Sequence, residues 1–165
     1  MKGDLNTLKK VCMYASKVMF AGQVVLGLII AATVILGVAS LLSDGFADEV
    51  SGWIGGDMSP IASMEALLIL VMGFITLRIV CGFMDSIQRN HSPFTQGNVD
   101  RLKALSWTYL ISSVFLAVLE YFAHGSVSNA IFLCLGSLLV CVVMYCLALI
   151  FRYGGLLQKE SDETL

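Results

Sequence analysis

Residues Val18–Leu42 read VMFAGQVVLGLIIAATVILGVASLL, a run without a single charged side chain. About 20 apolar residues suffice to carry a helix across the hydrocarbon core of a bilayer. A secretory signal has an apolar region of only about 7–15 residues, and Ala39-Ser40-Leu41 makes a poor cleavage site. A spanning strand needs about 9–11 residues and alternates in polarity; this run does not alternate. It reads as a retained membrane helix. Three more runs of the same kind follow, at Ile61–Phe83, Ala104–Phe122 and Val127–Phe151. The expected fold class is therefore all-α, an integral membrane four-helix bundle made of one domain over residues 1–165.

Working outward from these runs, the charges are sorted by side. Lys2, Lys9, Lys10 and Lys17 precede the first run, and Arg152 and Lys159 follow the fourth. Arg78, Arg89, Arg101 and Lys103 lie at or beside the connection between the second and third. The other two connections carry no Lys or Arg. Retention of basic residues on the cytoplasmic side orients membrane proteins. Both termini are thus expected in the cytoplasm, the chain being multi-pass in the cell membrane. The outer loop is 43–60, the cytoplasmic loop 84–103, the outer turn 123–126 and the cytoplasmic tail 152–165.

Composition excludes several classes. The chain is 58% apolar and 13% charged, with a mean hydropathy of +0.85, against about 25% charged residues in soluble domains. There is no basic arm, zinc-type Cys/His cluster or soluble nucleotide-binding unit, so direct nucleic-acid binding is not expected. Cys12, Cys81, Cys134, Cys141 and Cys146 avoid the outer connections, and read as small packing residues rather than disulfide or redox groups. No triad, zincin helix or paired-Asp protease motif emerges. Neither enzyme activity, a cofactor nor a metal centre is expected from any motif. No internal repeat joins the two halves, which weighs against repeat-built transporters.

The connections carry local signals. The outer loop holds Asp44, Asp48, Glu49 and Asp57, read as solvated surface, with Phe46 and Trp53 suited to the interface. Ser59-Pro60 has the form of a cap followed by a first helical residue. In the cytoplasmic loop, Ser92-Pro93 should break the second helix. Phe94, Val99, Leu102 and Leu105 then fall near helical spacing, which predicts a short interfacial helix before the third span. In the first span Gly27 with Ala31, and Thr33 with Gly37, suit close helix approach, either within the chain or in a homo-oligomer.

Ionisable residues inside a span are costly and are functional candidates by default. Glu65 and Glu120 each lie about seven residues from the middle of their spans, or roughly 10 Å at 1.5 Å per residue. The two spans run antiparallel, so both carboxylates are expected in one outer layer. His124 follows Glu120 by one helical turn. Glu65, Glu120 and His124 are thus a candidate outer polar pocket for a proton, a metal or an organic cation. The alternative is that each solvates itself at the interface. Arg78 is expected to snorkel to the headgroups on the inner side, where Gln23 is a candidate hydrogen-bond partner.

Pro93-Phe94, Asn98 and Arg101-Leu102 resemble the loop signature of a bacterial family of four-span integral membrane proteins, domain of unknown function 2975. Phe151-Arg152, Gly154, Leu157, Glu160 and Asp162-Glu163-Thr164-Leu165 resemble the same family's C-terminal signature. Members are often encoded beside Xre-type helix-turn-helix regulators, so the resemblance implies a cytoplasmic regulator as partner, and no active site. It also marks a candidate cytoplasmic docking patch of Pro93, Phe94, Asn98, Arg101, Gly154, Glu160, Asp162 and Glu163, in which Arg101 has the charge to pair with Glu160 or Asp162.

Two functions follow as expectations. One is a non-enzymatic signalling or regulatory partner of a cytoplasmic transcription regulator, with the lipid bilayer as its medium. The alternative is a small proton- or cation-coupled transporter using Glu65 and Glu120.

Overall fold

The computed structural model describes residues 2–42, 49, 52, 59–90 and 94–163. Asp44, Phe46, Asp48, Trp53, Asp57, Ser92 and Pro93 lie outside the described residues, as do the side chains of Arg89 and Asp162. Four helices account for nearly all the rest: α1, Lys2–Leu42; α2, Pro60–Asn90; α3, Gln96–His124; and α4, Val127–Glu163. Each contains a stretch long and apolar enough to cross a membrane.

The helices outrun the apolar runs. α1 has 41 residues, about 60 Å at 1.5 Å per residue, against a hydrocarbon core of about 30 Å. The short interfacial helix expected before the third span is not a separate element. α3 starts at Gln96 and continues unbroken to His124, because no proline interrupts it and its one glycine, Gly97, stands in its first turn. Thr95 provides its N-cap, in extended conformation, its side chain accepting the Asn98 N–H. Ser59 does the same for α2, accepting the Ala62 N–H at 3.2 Å, and Pro60 occupies the first helical position where an N–H would have no partner.

The four helices pack in chain order: α1 on α2, α2 on α3, and α3 on α4. Among the described residues α1 touches neither α3 nor α4 closely. It meets α2 along one face through Ser16, Gly22, Leu26, Gly27 and Gly37, with the buried or half-buried Cys12, Met19, Gln23, Ile30, Thr33 and Ser40 in line with them. A face that recurs every three or four residues in this way is that of a packed helix pair. A Cβ at Gly37 would stand 3.5 Å from that of Ser63 on α2, so small residues set the approach. Gly27 and Gly37 thus serve packing within the chain, whereas Ala31 faces outward. α4 shows a similar stripe through Ala130, Ser137, Cys141, Ala148 and Gly154.

α3, the least apolar span, lies between α2 and α4 and is the most enclosed of the four. Several of its small polar residues are satisfied locally or across the interface. Ser113 donates to the Leu110 carbonyl at 2.7 Å and Ser106 to the Cys141 carbonyl of α4 at 3.0 Å. Thr76 of α2 donates to Met72 O and meets the Tyr109 hydroxyl at 3.1 Å. Gln23 departs from expectation: its amide nitrogen is buried with no hydrogen-bond partner among the described residues. All five cysteines are free thiols.

At the end that carries Arg78, Arg101, Lys103 and Arg152, here the basic end, Val99, Leu102 and Ala148 form a small core with Phe83, Met144, Leu147 and Phe151 around it. The Phe94 ring rests on Phe151, centroids 5.4 Å apart, and fills the space above Gly154.

Candidate functional site

At the opposite, acidic end, each site residue is fixed by a helix terminus. Glu65 sits in the second turn of α2, after the Ser59 cap. Glu120 and His124 occupy the last turn of α3, one above the other. That helix stops at Gly125, whose φ of 65° and N–H bond to Tyr121 O complete a left-handed cap. A side chain at this φ is strained, which is why glycine closes the turn. Ser126 then opens α4, accepting the Asn129 N–H. The connection is so short that α4 begins beside Glu120.

This brings together the three residues the sequence marks. His124 Nδ1 lies 3.2 Å from Glu120 Oε2 and 3.7 Å from Glu65 Oε2. The Glu65 and Glu120 carboxyl groups lie side by side, their nearest donor atoms and that of His124 all within 4.8 Å of one another, and Asn129 at the start of α4 is a near neighbour of Glu120. Glu65 and Glu120 are only 5% and 6% exposed, while the imidazole is about half exposed, at 45%. The carboxylates therefore lie behind the histidine, which forms the open side of the cluster. Asn129 was not legible as a site residue: an amide at the start of an apolar run looks like part of the turn, and only the tight α3–α4 hairpin carries it back to Glu120.

The arrangement has cation chemistry. Two carboxylates buried side by side repel each other and have lost much of their hydration. A shared proton or a bound cation relieves both costs. The donor atoms of Glu65, Glu120 and His124 all lie within 4.8 Å of one another. Donors about 2.0–2.2 Å from one tetrahedral ion stand roughly 3.3–3.6 Å apart, so a contraction of up to about 1 Å closes the cluster on a divalent metal. His124 also ends α3, where the helix dipole favours positive charge.

The other marked residues divide into two groups. At the basic end Phe94 packs on Gly154 and Gly155, so the loop and the tail meet directly. Asn98 is fully buried. Arg101 turns toward α2, donating from Nη1 to Gly82 O at 2.6 Å and to Asn98 Oδ1 at 3.3 Å. Glu160 and Glu163 lie on the exposed tail helix, where Lys159 pairs with Glu163 at 3.6 Å. Pro93 and the Asp162 side chain lie outside the described residues. Phe94, Asn98, Arg101 and Gly154 are thus engaged in internal packing, while Glu160 and Glu163 lie on the exposed part of the tail helix.

Comparison with family models, curated proteins and solved structures returned no match.

Proposed function

We propose that this multi-pass membrane protein binds a cation, a proton or a divalent metal, at the Glu65–Glu120–His124 cluster, and couples that binding to transport or sensing across the bilayer. The carrying observation is the convergence of two buried carboxylates, from two different helices, on one half-exposed imidazole. In this reading the cluster faces outward and the basic end faces the cytoplasm, as retention of Lys and Arg on the inner side favours. His124 meets the incoming cation, and the carboxylates hold it out of bulk water.

The reading is tested with purified protein in lipid nanodiscs, titrated calorimetrically with Zn²⁺ and Mn²⁺, and with pH-gradient flux in proteoliposomes. Wild type is expected to bind one ion or to conduct a pH-dependent flux. Glu65→Gln and Glu120→Gln should each lose the response. Normal binding and flux in both variants would sink the mechanism.

A second reading has its own observation. The Phe94–Gly154 contact joins the loop and tail that carry the family resemblance into one packed unit. That unit suits a protein that presents the exposed tail helix to a cytoplasmic helix-turn-helix regulator. Co-purification of the regulator with the full chain, lost on deletion of residues 158–165, is the expected result. Capture unaffected by the deletion counts against it.

A further inference from the structure

A second polar site lies at the basic end, between α2 and α3. A cavity of about 450 Å³ is lined there by Arg78, Gly82, Asp85 and Ser86 of α2 and by Arg101 of α3. Arg78, Gly82 and Asp85 recur at helical spacing, so they share one face of α2 along roughly 10 Å of its axis.

Arg101 is held in place before any ligand arrives. Its Nη1 donates to the Gly82 carbonyl and to Asn98, a residue with no exposed surface. Gly82 makes this possible: a Cβ there would stand 3.1 Å from the guanidinium carbon. A guanidinium has five N–H donors. Nη1 carries two of them, which leaves Nε and Nη2 to face a ligand with their fork already oriented.

Arg78, one turn before Gly82, makes no hydrogen bond or ion pair among the described residues. Asp85 accepts from Ser16 of α1 at 3.4 Å, and Ser86 meets the Thr95 hydroxyl at 3.3 Å. Two guanidinium groups against one carboxylate leave the lining positive, so an anion is favoured.

Depth narrows the anion. Arg78 follows Glu65 by 13 residues, about 20 Å of helix, so in a hydrocarbon core of about 30 Å each lies roughly 5 Å inside opposite faces. An arginine at that depth, without a protein partner, needs a counter-ion from the interface. The groups concentrated there are phosphates, whose oxygens match the guanidinium fork.

We propose that this cavity binds a phosphate group, with Arg101 as the oriented clamp and Arg78 as the second cation. The group comes either from a phospholipid headgroup or from free phosphate, and one experiment separates the two. The protein is placed in nanodiscs of phosphatidylcholine, with or without an equal share of phosphatidylglycerol, and retained lipids are weighed by native mass spectrometry while unfolding is followed thermally. Inorganic phosphate at millimolar concentration is added to the phosphatidylcholine discs in a separate arm.

Wild type is expected to retain phosphatidylglycerol in preference, and Arg78→Gln to bind it roughly tenfold more weakly. Arg78→Lys, which keeps the charge without the fork, should fall between. Gly82→Ala moves Arg101 without altering any charge and should also lower the preference. Phosphate stabilising wild type but not Arg78→Gln, without lipid preference, assigns the site to the free ion. Equal lipid retention and equal phosphate response in wild type, Arg78→Gln and Gly82→Ala would overturn the proposal.

Discussion

Single residues at both ends of the molecule decide how close the chain comes to itself. A Cβ on Gly154 would sit 2.8 Å from two ring carbons of Phe94, and one on Gly155 would sit 3.0 Å from the Phe94 carbonyl oxygen. Gly154→Ala therefore overpacks this joint, at a cost of about 1–3 kcal/mol. A fall of several degrees in melting temperature in nanodiscs is the expected reading. In a Phe94→Ala background the clash is absent, so Gly154→Ala should cost little there; strict additivity would show that the contact is not made. Of the candidate site, Glu65, Glu120 and His124 were legible because position along a helix converts to depth in a bilayer. The role of Asn98 was not legible. Its burial beneath Arg101 depends on the approach of α2 to α3, which no local pattern encodes.

At the scale of elements, the four spans were plain from length and apolarity, but their packing faces were hidden apart from Gly27, Thr33 and Gly37 on α1. A span that is apolar all round gives hydropathy no face to report. The faces lie instead in the small residues: Cys12, Ser16, Gly37 and Ser40 on α1, Ala130, Ser137, Cys141 and Ala148 on α4. Close backbone approach drives association where lipid is as apolar as leucine. The α1–α2 pair offers a direct test, since a Cβ at Gly37 would be 3.5 Å from Ser63 Cβ. Disulfides span Cβ atoms about 3.5–4.5 Å apart. Gly37→Cys with Ser63→Cys should cross-link under mild oxidation, measured by peptide mapping, whereas Ala31→Cys with Ser63→Cys should not, because Ala31 faces outward. Helix starts are similarly local. Thr95→Ala removes the side-chain acceptor for Asn98 N–H, and about 1 kcal/mol of stability should go with it. The interfacial helix expected over Phe94–Leu105 failed for the complementary reason: its periodicity was real, but nothing in the sequence after Thr95 stops the helix from running on into the span.

For the whole molecule, the row of helices separates two kinds of charge. The carboxylates of Glu65 and Glu120 and the imidazole of His124 converge at one end, and Arg78 and Arg101 flank a cavity at the other. Helices α2 and α3 contribute to both, so a slide of one along the other that closed the cluster would also displace Arg101 relative to Gly82. The coupling proposed for this protein needs those ends on opposite sides of the membrane, with the chain termini on the basic side. Green fluorescent protein fused after Leu165 should fluoresce, and alkaline phosphatase fused there should stay inactive, since it requires an oxidising compartment for its disulfides. Alkaline phosphatase inserted within residues 43–58 should instead be active. The reverse pattern would place the Glu65–Glu120–His124 cluster in the cytoplasm. It would leave the cation chemistry of the cluster intact but remove its role in meeting ions from outside, and Arg78 would then face the outer leaflet.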